Sequence, residues 1–307
     1  MNIIVPMAGR GSRLRPHTLT IPKPLLPVGG KPIVERLVED IVAMSAEPVE
    51  EIAFVIGDFG AETEAQLLAM AERLGAKGHI CHQEEPLGTA HAILCGKACL
   101  KGPVVVAFAD TLFRADFTIN PDADGVLFVK QVDDPSAFGV VVTDAQGAIE
   151  DYVEKPSEFV SDLAMIGIYA FKDGERLQTE LQKLIDHNII KGGEYQLPDA
   201  LRNMTQSGLK FEPGRVTEWM DCGNKVATVE TNQRILTLTA DQVSIPASAN
   251  ISESVILPPC FIGEHVRIER SVIGPHVSIG EGTTIADSRI QNTLIQNEST
   301  IENKVLS

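Results

Sequence analysis

The 307-residue chain contains no Cys-x-x-Cys pair. Its five cysteines, Cys81, Cys95, Cys99, Cys222 and Cys260, are odd in number and scattered. Neither a disulfide frame nor a zinc site is indicated, and reduced, mostly buried thiols are expected. There is also no apolar run long enough to span a bilayer, and no charged N-terminal region followed by an apolar core. A cytoplasmic protein without membrane contact is therefore expected. An excess of basic residues is missing as well, since the net charge is −16. That argues against nucleic acid or an anionic membrane as partner. One further absence is local: no Asp or Glu occurs before Glu35, whereas Arg10, Arg13, Arg15, Lys23 and Lys31 all do. In an acidic chain, that basic opening marks a place for an anion.

The opening has the form such a place requires. A buried strand is expected at Ile3-Ile4-Val5, followed at once by the loop Ala8-Gly9-Arg10-Gly11-Ser12-Arg13-Leu14. Glycines there allow backbone N–H groups to converge on phosphate oxygens. In Pro22-Lys23-Pro24-Leu25-Leu26-Pro27-Val28, one lysine sits between two prolines that fix φ on either side. Its ammonium is thus pre-positioned and loses less entropy on meeting a phosphate.

Taken together, Gly9-x-Gly11-Ser12-Arg13-Leu14-x-Pro16-x-Thr18, Pro22 to Val28, and Lys31-Pro32 resemble the signature of the sugar-1-phosphate nucleotidyltransferases. Pro6 and Met7 depart from the Leu-Ala usual in that family just before the glycines. The resemblance implies that Met7, Ala8, Gly9, Gly11, Ser12 and Arg13 bind the nucleotide.

Further along, helical periodicity over 32–45, 61–74 and 89–100 alternates with strands at 52–56, 79–82 and the apolar run Val104 to Phe108, which ends at Asp110. Leu67, Leu68 and Leu74 are expected in the core. This alternation is that of an α/β sheet with helices on both faces and ligands beyond the carboxyl ends of its strands. Strands are expected next at 125–132, 138–143, 149–153 and 164–171, with helices at 174–187, 196–207 and 224–238. From about Val243 the pattern changes. Aliphatics recur every five or six residues, at Ile251, Ile256, Ile262, Ile268, Ile273, Ile279, Ile285, Ile290, Ile295 and Ile301. This hexapeptide rhythm belongs to a parallel β-helix of roughly three coils. The expected fold is a Rossmann-like nucleotidyltransferase domain with a mixed sheet over 1–240, followed by a short left-handed parallel β-helix over 241–307. So few coils need covered ends, so the β-helix should dock on the catalytic domain and on a second copy, giving a homo-oligomer.

The resemblance extends to the chemical groups. His82-Gln83-Glu84-Glu85-Pro86-Leu87-Gly88-Thr89-Ala90 is similar to the family's base-reading segment, which assigns base contact to Gln83 and Gly88. An amide both donates and accepts, as the imide edge of uracil or thymine requires. Asp110 and Asp221 match the acids that bind Mg²⁺ in the family, and hard carboxylate oxygens suit that ion. Tyr152-Val153-Glu154-Lys155-Pro156 resembles the element in which Glu154 takes sugar hydroxyls and Lys155 the sugar phosphate. Gly139 would then lie beneath the sugar, Glu194 would reach another hydroxyl, and Asp199 would serve structurally nearby. Core or surface roles are expected for His91, His265 and His276.

The implied reaction joins a nucleoside triphosphate and a sugar-1-phosphate, with UTP or dTTP and glucose-1-phosphate favoured. Because the sugar phosphate is already ionised at neutral pH, no general base is needed. Arg13, Lys23, Asp110 and Asp221 carry the chemistry by alignment and charge neutralisation. Glu85-Pro86-Leu87-Gly88-Thr89-Ala90 also resembles the mannose-1-phosphate guanylyltransferases, so GTP is the alternative nucleotide. A non-catalytic regulatory subunit is the alternative of another class.

Overall fold

The computed structural model describes residues 1–9, 11–120, 122–240 and 245–307. Arg10 and the change of period near Val243 lie outside them. By contacts the chain divides into two units: Met1–Arg10 with Leu37–Trp219, and Gly11–Arg36 with Met220–Ser307. Contact and sequence periodicity are different measures, and the division at 240/241 rests on the second alone.

The first unit is built on a sheet of nine strands among the described residues: β1 (Asn2–Pro6), β2 (Glu51–Ile56), β3 (Lys77–His82), β4 (Val104–Ala107), β5 (Gly125–Gln131), β6 (Gly139–Thr143), β7 (Ile149–Glu154), β8 (Leu163–Phe171) and β9 (Phe211–Arg215). Their spatial order is β3-β2-β1-β4-β8-β5-β9-β7-β6. The first four pair in parallel, and β8 runs antiparallel to β4 and β5. The sheet is therefore mixed. Ile3, Ile4 and Val5 are fully buried, and each contributes about 1.5–3 kcal/mol by leaving water. The apolar faces of α3 (Thr89–Cys95), α4 (Gly174–Asp186) and α5 (Leu197–Gln206) join Ile4 in one core through Ile93, Leu181 and Leu201.

Three local expectations need correction. The helix expected over 89–100 stops at Cys95, and a 3₁₀ turn, Lys97–Cys99, replaces its last turn. Gly96 marks the break, its Cβ position only 3.2 Å from Ile4 Cγ2 and 3.4 Å from Ala53 Cβ, so the backbone is drawn against the sheet. Leu68 is 40% exposed on α2 (Ala61–Arg73), whereas Leu67 is buried. Finally, β9 was not anticipated. Its Pro213 breaks the strand pattern, but its pairing with β7 involves only Phe211 and Ile149, so the missing N–H falls beyond that ladder.

In the second unit, short parallel strands stack into three ladders. One runs Asn250–Ser252, Arg267–Glu269, Thr284–Ala286 and Thr300–Glu302, and places Ile251, Ile268, Ile285 and Ile301 in register. A second aligns Ile256, Ile273, Ile290 and Leu306, and a third aligns Ile262, Ile279 and Ile295. Inner-coil isoleucines such as Ile268 and Ile285 are fully buried, while the terminal Ile251 and Ile301 are only partly so. Left-handed corner residues recur in a column at Glu253, Arg270, Asp287 and Asn303.

Helix α6 (Lys225–Leu238) carries Asn232, fully buried, whose Oδ1 accepts from Gly29 N–H at 2.8 Å and from Ser278 Oγ at 2.7 Å. Gly29 and Gly30 both have positive φ, and a Cβ on Gly30 would sit 2.2 Å from the Phe261 ring. The segment after the signature loop is thus packed on α6 and on the coils of its own unit.

Candidate active site

In the first unit, Met7 is buried and extends β1, its N–H donating to Val55 O at 2.8 Å. Ala8 is half-buried and Gly9 exposed, with no described atom within 4 Å of a Cβ placed on Gly9. In the second unit, Gly11 has φ 60 and ψ 36 and caps a 3₁₀ turn, Ser12–Leu14. A Cβ on Gly11 would lie 2.7 Å from Lys23 Cβ. That glycine is required by both conformation and space, and Thr18 Oγ1 fixes its carbonyl at 2.8 Å. Arg13 and Ser12 are exposed and Lys23 half-buried. Lys23 opens a 3₁₀ turn, Lys23–Leu25, with Pro22 ahead of it, so the stiffness expected from the prolines takes the form of a tight turn.

Back in the first unit, Gln83 follows β3, and its Nε2 donates to Gly88 O at 3.3 Å and lies 3.1 Å from His91 Nδ1. His91 thus orients the amide, a role its sequence position did not signal. Gly88 has φ 110, and a Cβ there would sit 2.4 Å from Tyr195 O. Tyr195 N–H donates to Leu87 O at 2.8 Å, and its carbonyl accepts from Ala90 N–H at 3.0 Å. The segment from Gln83 to Ala90 is thereby stitched to the turn that carries Glu194, whose own backbone closes on Lys191 across Gly192 and Gly193.

Gly139 and Glu154 are direct partners across β6 and β7. A Cβ on Gly139 would meet Glu154 Oε2 at 2.7 Å and Met165 Cε at 2.8 Å, so the space over this glycine holds the Glu154 carboxylate. Lys155 has φ 46 and is mostly exposed, with Nζ 3.9 Å from Glu154 Oε1. Asp110 lies just beyond the carboxyl end of β4 and is half-buried. The phenol of Tyr169 has its pKa pushed well up by burial, with the Glu154 and Asp110 carboxylates adding to the effect. One buried tyrosine therefore feels both acids, and only the folded sheet reveals that link.

Asp199 is tied to Arg202 Nη1 at 3.1 Å, and Arg202 also holds Asp151 and the Tyr152 carbonyl. That network matches the structural role expected of it. Asp221 ends the strand Glu218–Asp221 in the second unit, and its Oδ1 accepts from Gly223 N–H at 2.8 Å. Asp110 and Asp221 each offer hard, half-buried carboxylate oxygens, a donor type that fits a divalent cation such as Mg²⁺. His276 Nε2 lies 3.2 Å from Thr237 Oγ1, and both His276 and His265 occupy left-handed corners.

A family model described as nucleotidyl transferase matches residues 2–237, and one described as GlmU-like, C-terminal hexapeptide, matches 223–294. The chain belongs to the nucleotidyl transferase family and is an enzyme of the sugar-1-phosphate nucleotidyltransferase class, with hexapeptide strands at its C-terminal end. It is 28% identical over 325 residues to a glucose-1-phosphate thymidylyltransferase of Streptomyces antibioticus, covering 98% of this chain and 88% of that one. It is also 28% identical to the low-salt glycan biosynthesis nucleotidyltransferase Agl11 of Haloferax volcanii, over 95% and 87% of the two chains. Among solved structures, an apo UDP-glucose pyrophosphorylase superposes with a TM-score of 0.62 at 25% identity, covering 77% of this chain and 98% of that chain. The chain contains no helix, among the described residues, long and apolar enough to cross a membrane.

Proposed function

We propose that this nucleotidyltransferase joins UTP or dTTP to a sugar-1-phosphate, with glucose-1-phosphate the favoured sugar, and releases pyrophosphate. The observation that carries the base assignment is the commitment of Gln83 Nε2 to Gly88 O and His91 Nδ1. That leaves the amide oxygen to accept an N–H such as the imide of uracil or thymine, while the donor half expected of the amide is held within the protein.

In the reaction, an oxygen of the sugar phosphate attacks the α-phosphorus, and the bond from that phosphorus to the β-phosphate bridge breaks. Arg13 and the backbone of Gly9, Gly11 and Ser12 steady the triphosphate. Lys23 and Lys155 neutralise the two reacting anions, and Glu154 and Glu194 orient the sugar hydroxyls over Gly139. Alignment and charge neutralisation do the work, because the nucleophile is already ionised. By resemblance, Asp110 and Asp221 would hold Mg²⁺, which when bound would supply further charge neutralisation at the phosphates.

Residues 1–240 are read as the catalytic domain of a cytoplasmic enzyme. Residues 241–307 are read as left-handed coils, and copies are read as self-associating through these coils or through the catalytic domain.

The test is Mg²⁺-dependent pyrophosphate release with UTP, dTTP, GTP and CTP, each crossed against glucose-, galactose-, N-acetylglucosamine- and mannose-1-phosphate. Turnover with UTP or dTTP and glucose-1-phosphate supports the reading. Preference for GTP with mannose-1-phosphate replaces it, and nucleotide binding without turnover removes it.

A further inference from the structure

Cys-x-x-Cys spacing is absent, yet the fold gathers another set of metal-binding groups on the first unit. Glu51 opens β2, and His79 lies in β3 opposite Ala53. Because side chains two apart share a face of a strand, Glu51, Ala53 and His79 face the same way. Cys99 enters from the 3₁₀ turn Lys97–Cys99. Its carbonyl accepts from Asn2 Nδ2 at 3.1 Å, and its N–H donates to Gly96 O at 2.9 Å. Its thiol is fully buried and donates to Glu51 Oε2.

Glu51 Oε1 is 3.4 Å from His79 Nε2, and Glu51 Oε2 is 3.6 Å from Cys99 Sγ. One ligand atom from each of the three residues lies within 4.8 Å of the others. His79 Nε2 is buried and makes no hydrogen bond. A buried polar atom in that condition is costly, and a shared cation would satisfy it.

Zinc binds sulfur at about 2.3 Å, nitrogen at about 2.0–2.1 Å and oxygen at about 2.0–2.2 Å in a tetrahedron, which sets neighbouring ligand atoms roughly 3.3–3.6 Å apart. The two distances from the Glu51 carboxylate, one from each of its oxygens, are of that size, and a rotation of the carboxylate is needed to bring a single oxygen to a shared ion. Thiolate and carboxylate together balance a 2+ charge, with imidazole neutral, and water can take the fourth position.

We propose that Glu51, His79 and Cys99 form a structural site for a thiolate-binding divalent cation of the zinc class. The soft sulfur disfavours Mg²⁺, so the site differs in metal preference from Asp110 and Asp221. It sits at the amino ends of β1 and β2, away from the carboxyl end of β4 that leads to Asp110. Its role there is to tie β2, the edge strand β3 and the turn after α3.

The full chain, stripped with a chelator and carrying Asp110→Asn to weaken the oxygen-ligand site, is titrated with Co²⁺. Oxygen ligands give no thiolate-to-cobalt charge-transfer absorption, whereas this site gives that band at one equivalent, with zinc displacing it. Cys99→Ser abolishes the band, and His79→Gln, checked for folding by circular dichroism, weakens cobalt binding by about tenfold or more. If Cys99→Ser does not fold, Glu51→Gln and His79→Gln carry the test. No thiolate band with the stripped parent, a band that survives Cys99→Ser, or unchanged cobalt affinity in both Glu51→Gln and His79→Gln would overturn the proposal.

Discussion

Gln83 and His91 hold each other, with the Gln83 amide nitrogen 3.1 Å from His91 Nδ1 and 3.3 Å from Gly88 O. In the proposed reading, this contact decides which end of the amide is left for a nucleobase. His91→Ala removes one restraint, worth about 1 kcal/mol. The nucleotide KM should rise about fivefold while kcat stays nearly constant, as measured by steady-state pyrophosphate release. A fall in kcat at unchanged KM would assign His91 to chemistry instead.

Gly88 is locked by space as well as by conformation. With φ 110 and the Tyr195 carbonyl 2.4 Å from a would-be Cβ, Gly88→Ala must displace backbone and should cost about 1–3 kcal/mol. Thermal unfolding reads this as a Tm several degrees lower, and sugar-phosphate affinity should fall with it because Glu194 is carried by the same turn. An unaltered Tm would show that the segment repacks freely.

In the proposed mechanism, Lys23 and Asp110 neutralise charge rather than build the core. Lys23→Ala and Asp110→Asn should each lower kcat by about 10²-fold or more, with Tm changing far less than for Gly88→Ala. Turnover equal to the parent in either variant would remove that residue from the mechanism.

In the C-terminal strands, Arg270 grips Asp287 with two hydrogen bonds of 2.8 Å. These bonds hold the Asp287 carboxyl below its usual pKa. A folded-state value below the unfolded one means that the stabilisation is present above the unfolded pKa, about 3.9. It is lost as pH falls through the folded value. Asp287→Asn, which also tolerates the left-handed corner, should flatten the acid limb of a Tm-versus-pH curve. The effect is small because both side chains are open to solvent. A curve of unchanged slope below pH ~4 would show that the pair contributes nothing.

Local pattern was enough for most elements. The strand at Ile3-Ile4-Val5, the alternation as far as Asp110 and the isoleucine rhythm after Asn250 are each written in the spacing of neighbouring residues, and the folded chain carries all three. Where the pattern was broken, the reading failed. Phe211–Arg215 contains Pro213 and Gly214 and does not look like a strand, yet it pairs along its whole length with β5. Leu68 fits the helical stripe but lies at its rim.

The sequence alone determined the kind of chain this is: a basic opening rich in glycine, an α/β alternation and then hexapeptide strands, because charge, glycine and short periods act locally. Only tertiary structure decided which distant groups meet. Strand register sets Glu154 over Gly139 and His79 beside Glu51, and backbone pairing of Tyr195 with Leu87 and Ala90 brings Glu194 to Gly88. Residues this far apart in sequence leave no periodic trace of such contacts, which is why the cluster around Cys99 could not be read from cysteine spacing.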